Sequence, residues 1–116
     1  MNMNNRKYIR YHLPLKVEAK SEDDQSAKGI VKDFSRNGLR ILFDSFDFLP
    51  PSILNLKIQR PGKEIFVPAI GEVTWKTFTS SGWEVGVRLR DFSPQVKAEI
   101  LEHAYRAWLS QRSKYK

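Results

Sequence analysis

The chain is 116 residues long, 41% hydrophobic and 28% charged, with a formal charge of +7 and no cysteine. That length holds one domain with a real core, and the lack of thiols excludes a disulfide framework, a cysteine nucleophile and a thiolate metal site. No stretch is apolar for long enough to span a bilayer, and Met1-Asn2-Met3-Asn4-Asn5 lacks a signal-peptide core, so a cytoplasmic location is expected.

The charge is concentrated at the two ends. Residues 1–20 hold five Lys/Arg against one Glu, a net of +4; residues 95–116 hold five against two, a net of +3; the stretch between holds ten of each. Such ends fit an anionic partner or simple solubilising tails equally well. Within the first basic stretch, Arg6 and Arg10 stand four apart in Arg6-Lys7-Tyr8-Ile9-Arg10. A guanidinium is a planar fork that pairs with phosphate or with the O6/N7 edge of guanine, and its flat face can stack on a base.

From about residue 15 to 90 the dominant period is two, which predicts strands. Leu15, Val17 and Ala19 alternate with charged residues, and Ser21 to Ser26 reads as a polar hairpin tip. A strand over 27–33 leads to Asp33-Phe34-Ser35-Arg36-Asn37-Gly38, a run of turn formers. Its chemistry also suits a ligand: the carboxylate accepts from guanine's donors, the serine hydroxyl adds a short contact, and the glycine carries no Cβ. Leu39, Ile41 and Phe43 alternate next, then Leu54, Leu56 and Ile58. Arg60-Pro61-Gly62-Lys63 places Pro-Gly where a type II turn wants it. Ile65, Val67, Ala69, Gly71, Val73 and Trp75 are expected along one face of a long strand that bends at Pro68 and Gly71. After Thr79-Ser80-Ser81-Gly82, Trp83, Val85, Val87 and Leu89 form the last strand, giving about six in all. Hairpin-linked short strands predict an antiparallel sheet, and closure into a barrel removes its edges.

The period then changes. Ser93 is a good N-cap with Pro94 at the first helical position, and Val96, Ile100, Ala104 and Trp108 succeed it at steps of four. One amphipathic helix of roughly four turns over 93–110 fits, with Gln111 to Lys116 fraying beyond it.

Arg6 and Arg10 followed by Asp33, Ser35 and Gly38 match RxxxR and [DN]xSxxG without substitution. With Gly38-Leu39-Arg40-Ile41, Gly71-Glu72-Val73-Thr74-Trp75 and Val85-Gly86-Val87-Arg88-Leu89, they make nearly the whole chain resemble a stand-alone PilZ domain, the bacterial receptor module for cyclic di-GMP. The resemblance implies a six-stranded antiparallel β-barrel over 13–92, a flexible ligand-binding arm over 1–12 and a C-terminal helix over 93–110. It implies that Arg6 and Arg10 engage guanine and phosphate, that Asp33 and Ser35 face a guanine edge, and that Gly38 holds the turn open. Asn5, just before the first arginine, lies where the family sets one or two ligand molecules per protomer. Lys7, Arg36 and Asn37 lie within the motifs as further possible contacts. Trp75 corresponds to an aromatic lining the site in some members, although strand alternation equally makes it a core residue. The implied protein is a receptor that alters its contact with an unidentified effector protein, as a monomer or weak dimer.

Catalysis has little support. His12 and His103 are the only histidines and have no metal-ligand spacing, Ser35 has no base nearby in sequence, and there is no GxxxxGK[ST] loop. No metal or other cofactor is expected. Two rivals remain: a ligand-independent adaptor on the same barrel, and a small nucleic-acid-binding barrel favoured by the pI of 9.8. The neutral central strands speak against the second.

Overall fold

The computed structural model describes residues 14–35, 38–44 and 49–113. Six strands, β1 (Lys16–Lys20), β2 (Ser26–Phe34), β3 (Gly38–Phe43), β4 (Ile53–Gln59), β5 (Phe66–Thr79) and β6 (Gly82–Arg90), precede one helix, α1 (Pro94–Ser113). They pair antiparallel in the order β1-β2-β3-β6-β5-β4, and β4 closes onto β1. Closure satisfies every edge with another strand of the same sheet.

Alternation predicts the inward set well where the ladder is regular. Val17 and Ala19 on β1, Leu39, Ile41 and Phe43 on β3, and Leu54, Leu56 and Ile58 on β4 are all buried. Each fully buried Leu, Ile or Phe stabilises the fold by about 1.5–3 kcal/mol. The turns obey local chemistry. Lys63 N–H donates to Arg60 O across Pro61-Gly62, with Gly62 at φ 71°, as a type II turn requires.

Helix α1 starts at the expected cap: Val96 N–H donates to Ser93 Oγ at 3.3 Å. Its apolar stripe seats Ile100 and Ala104 in fully buried positions, and Ile100 joins the barrel core. A two-pronged ion pair, Arg60 Nε to Glu99 Oε1 at 3.0 Å and Nη2 to Oε2 at 2.7 Å, ties the β4–β5 turn to the helix. The helix is longer than the periodicity indicates, running through Gln111 and Arg112 to Ser113 rather than fraying after residue 110.

Two expectations for β5 are corrected. Its pairing with β4 is regular from Gln59–Phe66 to Ile53–Glu72, straight through Pro68 and Gly71. Pro68 points outward, and Gly71 faces inward where Val87 and Leu56 side chains fill the room a Cβ would take. The irregularity lies instead at Thr74, between the pairs Val73–Val87 and Trp75–Gly86. One extra residue there reverses the facing of the rest of the strand. Val73 packs on the core while Trp75 is 41% exposed, so the two do not share a face. Ile65 precedes the strand and is exposed.

Candidate ligand-binding site

A second bulge shapes the other end of the sheet. On β2 the inward residues are Ala27, Gly29 and Val31, and strict alternation would continue with Asp33. The register shifts at Lys32: Val31 pairs with Ile41, but Asp33 pairs with Arg40 and Phe34 with Leu39. Paired residues share a face, so Phe34 enters the core, fully buried, while Asp33 turns to the outer face beside Arg40. Asp33 and Phe34 thus belong to β2, and Gly38 opens β3, leaving a tighter connection than the run of turn formers implies.

Outward-facing partners then line up across four strands. Asp33 on β2 is opposite Arg40 on β3, Arg40 is opposite Gly86 on β6, and Gly86 is opposite Trp75 on β5. Arg40 Nη2 lies 2.8 Å from Asp33 Oδ2, and Arg40 Nη1 lies 3.3 Å from Glu84 Oε1. Asp33 is only 3% exposed, and burying an unpaired carboxylate would cost several kcal/mol, so the guanidinium helps make the position tolerable. Arg40 Nε is buried without a hydrogen-bond acceptor among the described residues.

Gly86 is the flat spot in this row. A Cβ there would overlap the Trp75 indole at Nε1 and Cε2, so the ring lies directly on the β6 backbone. Thr74, the bulged residue, fixes that placement by donating from Oγ1 to Gly86 O at 3.1 Å. An exposed indole anchored this way offers a face on which a purine can stack. Beside it on β6, Arg88 is opposite Gly38 and shares Glu72 with Arg90, at 3.2 and 3.0 Å.

Ser35 and Gly38 close the β2–β3 connection. Ser35 N–H donates to Gly38 O at 2.9 Å and its hydroxyl to the same oxygen at 3.3 Å. Gly38 has no room for a Cβ because Val87 O of the neighbouring strand occupies that place. Of the residues that the sequence singles out, Asp33, Gly38 and Trp75 lie on the outer surface of the strands β2, β3 and β5, and Ser35 lies in the β2–β3 connection. Asn5, Arg6, Lys7, Arg10, Arg36 and Asn37 lie outside the described residues. Arg40, Glu84 and Gly86 join the site without any signal from the motifs as ligand contacts. Arg40 carries a usable hint, since it stands between inward Leu39 and Ile41 and so must point outward; its partner is hidden by the bulge.

Among the described residues no group of His, Asp or Glu could hold a metal ion, and no helix is long and apolar enough to cross a membrane. A profile of the PilZ domain matches residues 4–106. The chain belongs to the PilZ domain family. Its fold superposes on the PilZ domain of YcgR from Escherichia coli with c-di-GMP, with TM-score 0.66 and 14% identity over 96% of this chain and 97% of that one. It is similar also to the Bacillus subtilis inhibitor of motility MotI/DgrA, with TM-score 0.72 and 18% identity over 95% of this chain and 54% of that one. The K. pneumonia MrkH–c-di-GMP complex gives TM-score 0.72 and 13% identity over 94% of this chain and 54% of that one. The chain spans about half the length of these last two proteins. No curated protein matches the sequence.

Proposed function

We propose that this protein is a receptor for cyclic di-GMP and performs no catalysis. The observation that carries the reading is the buried Asp33 carboxylate, turned by the bulge at Lys32 onto the outer surface beside Arg40 in a PilZ-family chain. Family membership and the c-di-GMP named with YcgR and MrkH support the ligand. The ligand presents two phosphates and two guanines, so a receptor must neutralise charge and read base edges together. Asp33 and Ser35 face a guanine edge, Trp75 stacks on a base, and Arg6 and Arg10 supply the cations that phosphate and the O6/N7 edge require.

Binding then acts as a switch. The segment carrying Arg6 and Arg10 closes over the nucleotide and presents a new surface to an effector protein. Ordering costs about 1–2 kcal/mol per residue of backbone, and charge-assisted hydrogen bonds at about 1.5–3 kcal/mol each offset it. The effector belongs to motility, pilus, exopolysaccharide or biofilm control, and the protein works in the cytoplasm as a monomer or weak dimer. Amide spectra of labelled protein test the site. Excess cyclic di-GMP is expected to shift Asp33, Ser35, Gly38 and the Trp75 indole; unchanged signals there would rule the reading out and leave a ligand-independent adaptor in its place.

A further inference from the structure

We propose that Arg40 is a positioning residue for base recognition: it sets the orientation of the Asp33 carboxylate, and with it the preference for guanine. The inference rests on the reading of Asp33 as the group that faces a guanine edge. Arg40 does more than neutralise the buried Asp33 carboxylate. It gives one Nη to each of two carboxylates, on β2 and β6, and leaves its own buried Nε without an acceptor among the described residues. Ion pairs of this kind are weak stabilisers, because desolvation offsets their attraction. The strand also departs from regular pairing at Lys32, and the departure is what brings Asp33 opposite Arg40 instead of into the barrel. A strand that gives up ladder regularity to bring Asp33 opposite Arg40 is explained when the orientation of the carboxylate is what matters.

The clamp has a defined geometry. The second Nη of the Arg40 fork is engaged by Glu84 Oε1 at 3.3 Å, so the guanidinium is tethered to β6 as well as to Asp33. The contact of Oδ2 with Nη2 at 2.8 Å restrains the rotation of the Asp33 carboxylate. A carboxylate restrained in this way reads the paired ring N–H and exocyclic amine of guanine; one free to rotate accepts from whatever donor is near. Lysine could supply the charge at position 40, but it lacks the planar fork that engages two acids at once.

Cyclic di-IMP, the inosine analogue lacking guanine's exocyclic amine, separates orientation from general damage. Calorimetry on the full chain compares cyclic di-GMP with cyclic di-IMP for wild type, Arg40→Met, Arg40→Lys and Trp75→Ala. Wild type is expected to favour the guanine form by about tenfold or more. Arg40→Met and Arg40→Lys are expected to bring that ratio close to one, while Trp75→Ala weakens both ligands alike and keeps the ratio. Arg40→Lys retains the charge and keeps the comparison available if Arg40→Met does not fold. A wild-type ratio retained in folded Arg40→Lys or Arg40→Met overturns the role of Arg40 while the receptor reading stands. Wild type that binds both ligands equally also overturns it, and wild type that binds neither overturns the receptor reading as well.

Discussion

The Trp75 indole lies on Gly86 of the neighbouring strand, in the place where any larger residue would put its Cβ. Trp75 remains 41% exposed, so the contact does not bury the ring; it holds one face down and leaves the other outward. Gly86→Ala should lift or rotate the ring. Base stacking on an aromatic is worth about 1–3 kcal/mol, so affinity for cyclic di-GMP is expected to fall roughly five- to hundredfold. Thermal stability should change little, because alanine is favoured over glycine in a strand by about 0.5–1 kcal/mol, offsetting the displaced contact. Calorimetry beside a thermal melt checks both halves.

The basic segment is expected to carry much of the binding energy. On the proposed reading, Arg10→Ala should remove a charge-assisted contact worth about 1.5–3 kcal/mol, a loss of roughly ten- to hundredfold in affinity. Arg6→Ala should behave similarly. Titrations at two salt concentrations read the charge contribution, since part of the loss should shrink as salt rises.

The link between barrel and helix depends on pH through Glu99. The Arg60 hydrogen bond is the main reason that its carboxyl titrates below the usual glutamate range, with the Arg60, Lys63 and His103 charges assisting. A lowered folded-state pKa means stability that is complete above the unfolded value and lost as pH falls through the folded one. Wild type should therefore melt above Glu99→Gln at neutral pH, and the difference should close as pH drops below the ordinary carboxylate range. Arg60, raised by the same pair, stays charged throughout that window. Melting curves of both proteins from neutral to acid pH measure the effect; a gap that widens toward acid would contradict it.

Ile100 is fully buried in the barrel core although it comes from the helix. Ile100→Ala should cost about 2–5 kcal/mol, read as a lower urea midpoint. Ligand binding by the folded fraction should persist, because the proposed ligand face lies on the strands.

The barrel is legible in the sequence wherever the ladder is regular. Leu39, Ile41 and Phe43 announce their inward face because one side of β3 meets the core along its whole length. Ser93 and Pro94 announce the helix because capping is a local matter. Strand parity beyond Lys32 and Thr74 is not legible. A bulge is set by pairing with a distant strand, and it moves Phe34 into the core, Asp33 out of it and Trp75 to the face opposite Val73. Motif residues can thus be named without their neighbours. Arg40, Glu84 and Gly86 gain meaning only once β2, β3, β6 and β5 lie side by side.

Titration of the wild-type protein with cyclic di-GMP, with GTP and cyclic GMP as controls, tests the central claim most directly. Saturable binding of the cyclic dinucleotide alone is predicted, at one or two molecules per protomer, with that number reporting on the position of Asn5. Absence of heat from cyclic di-GMP, or equal binding of all three nucleotides, would contradict it.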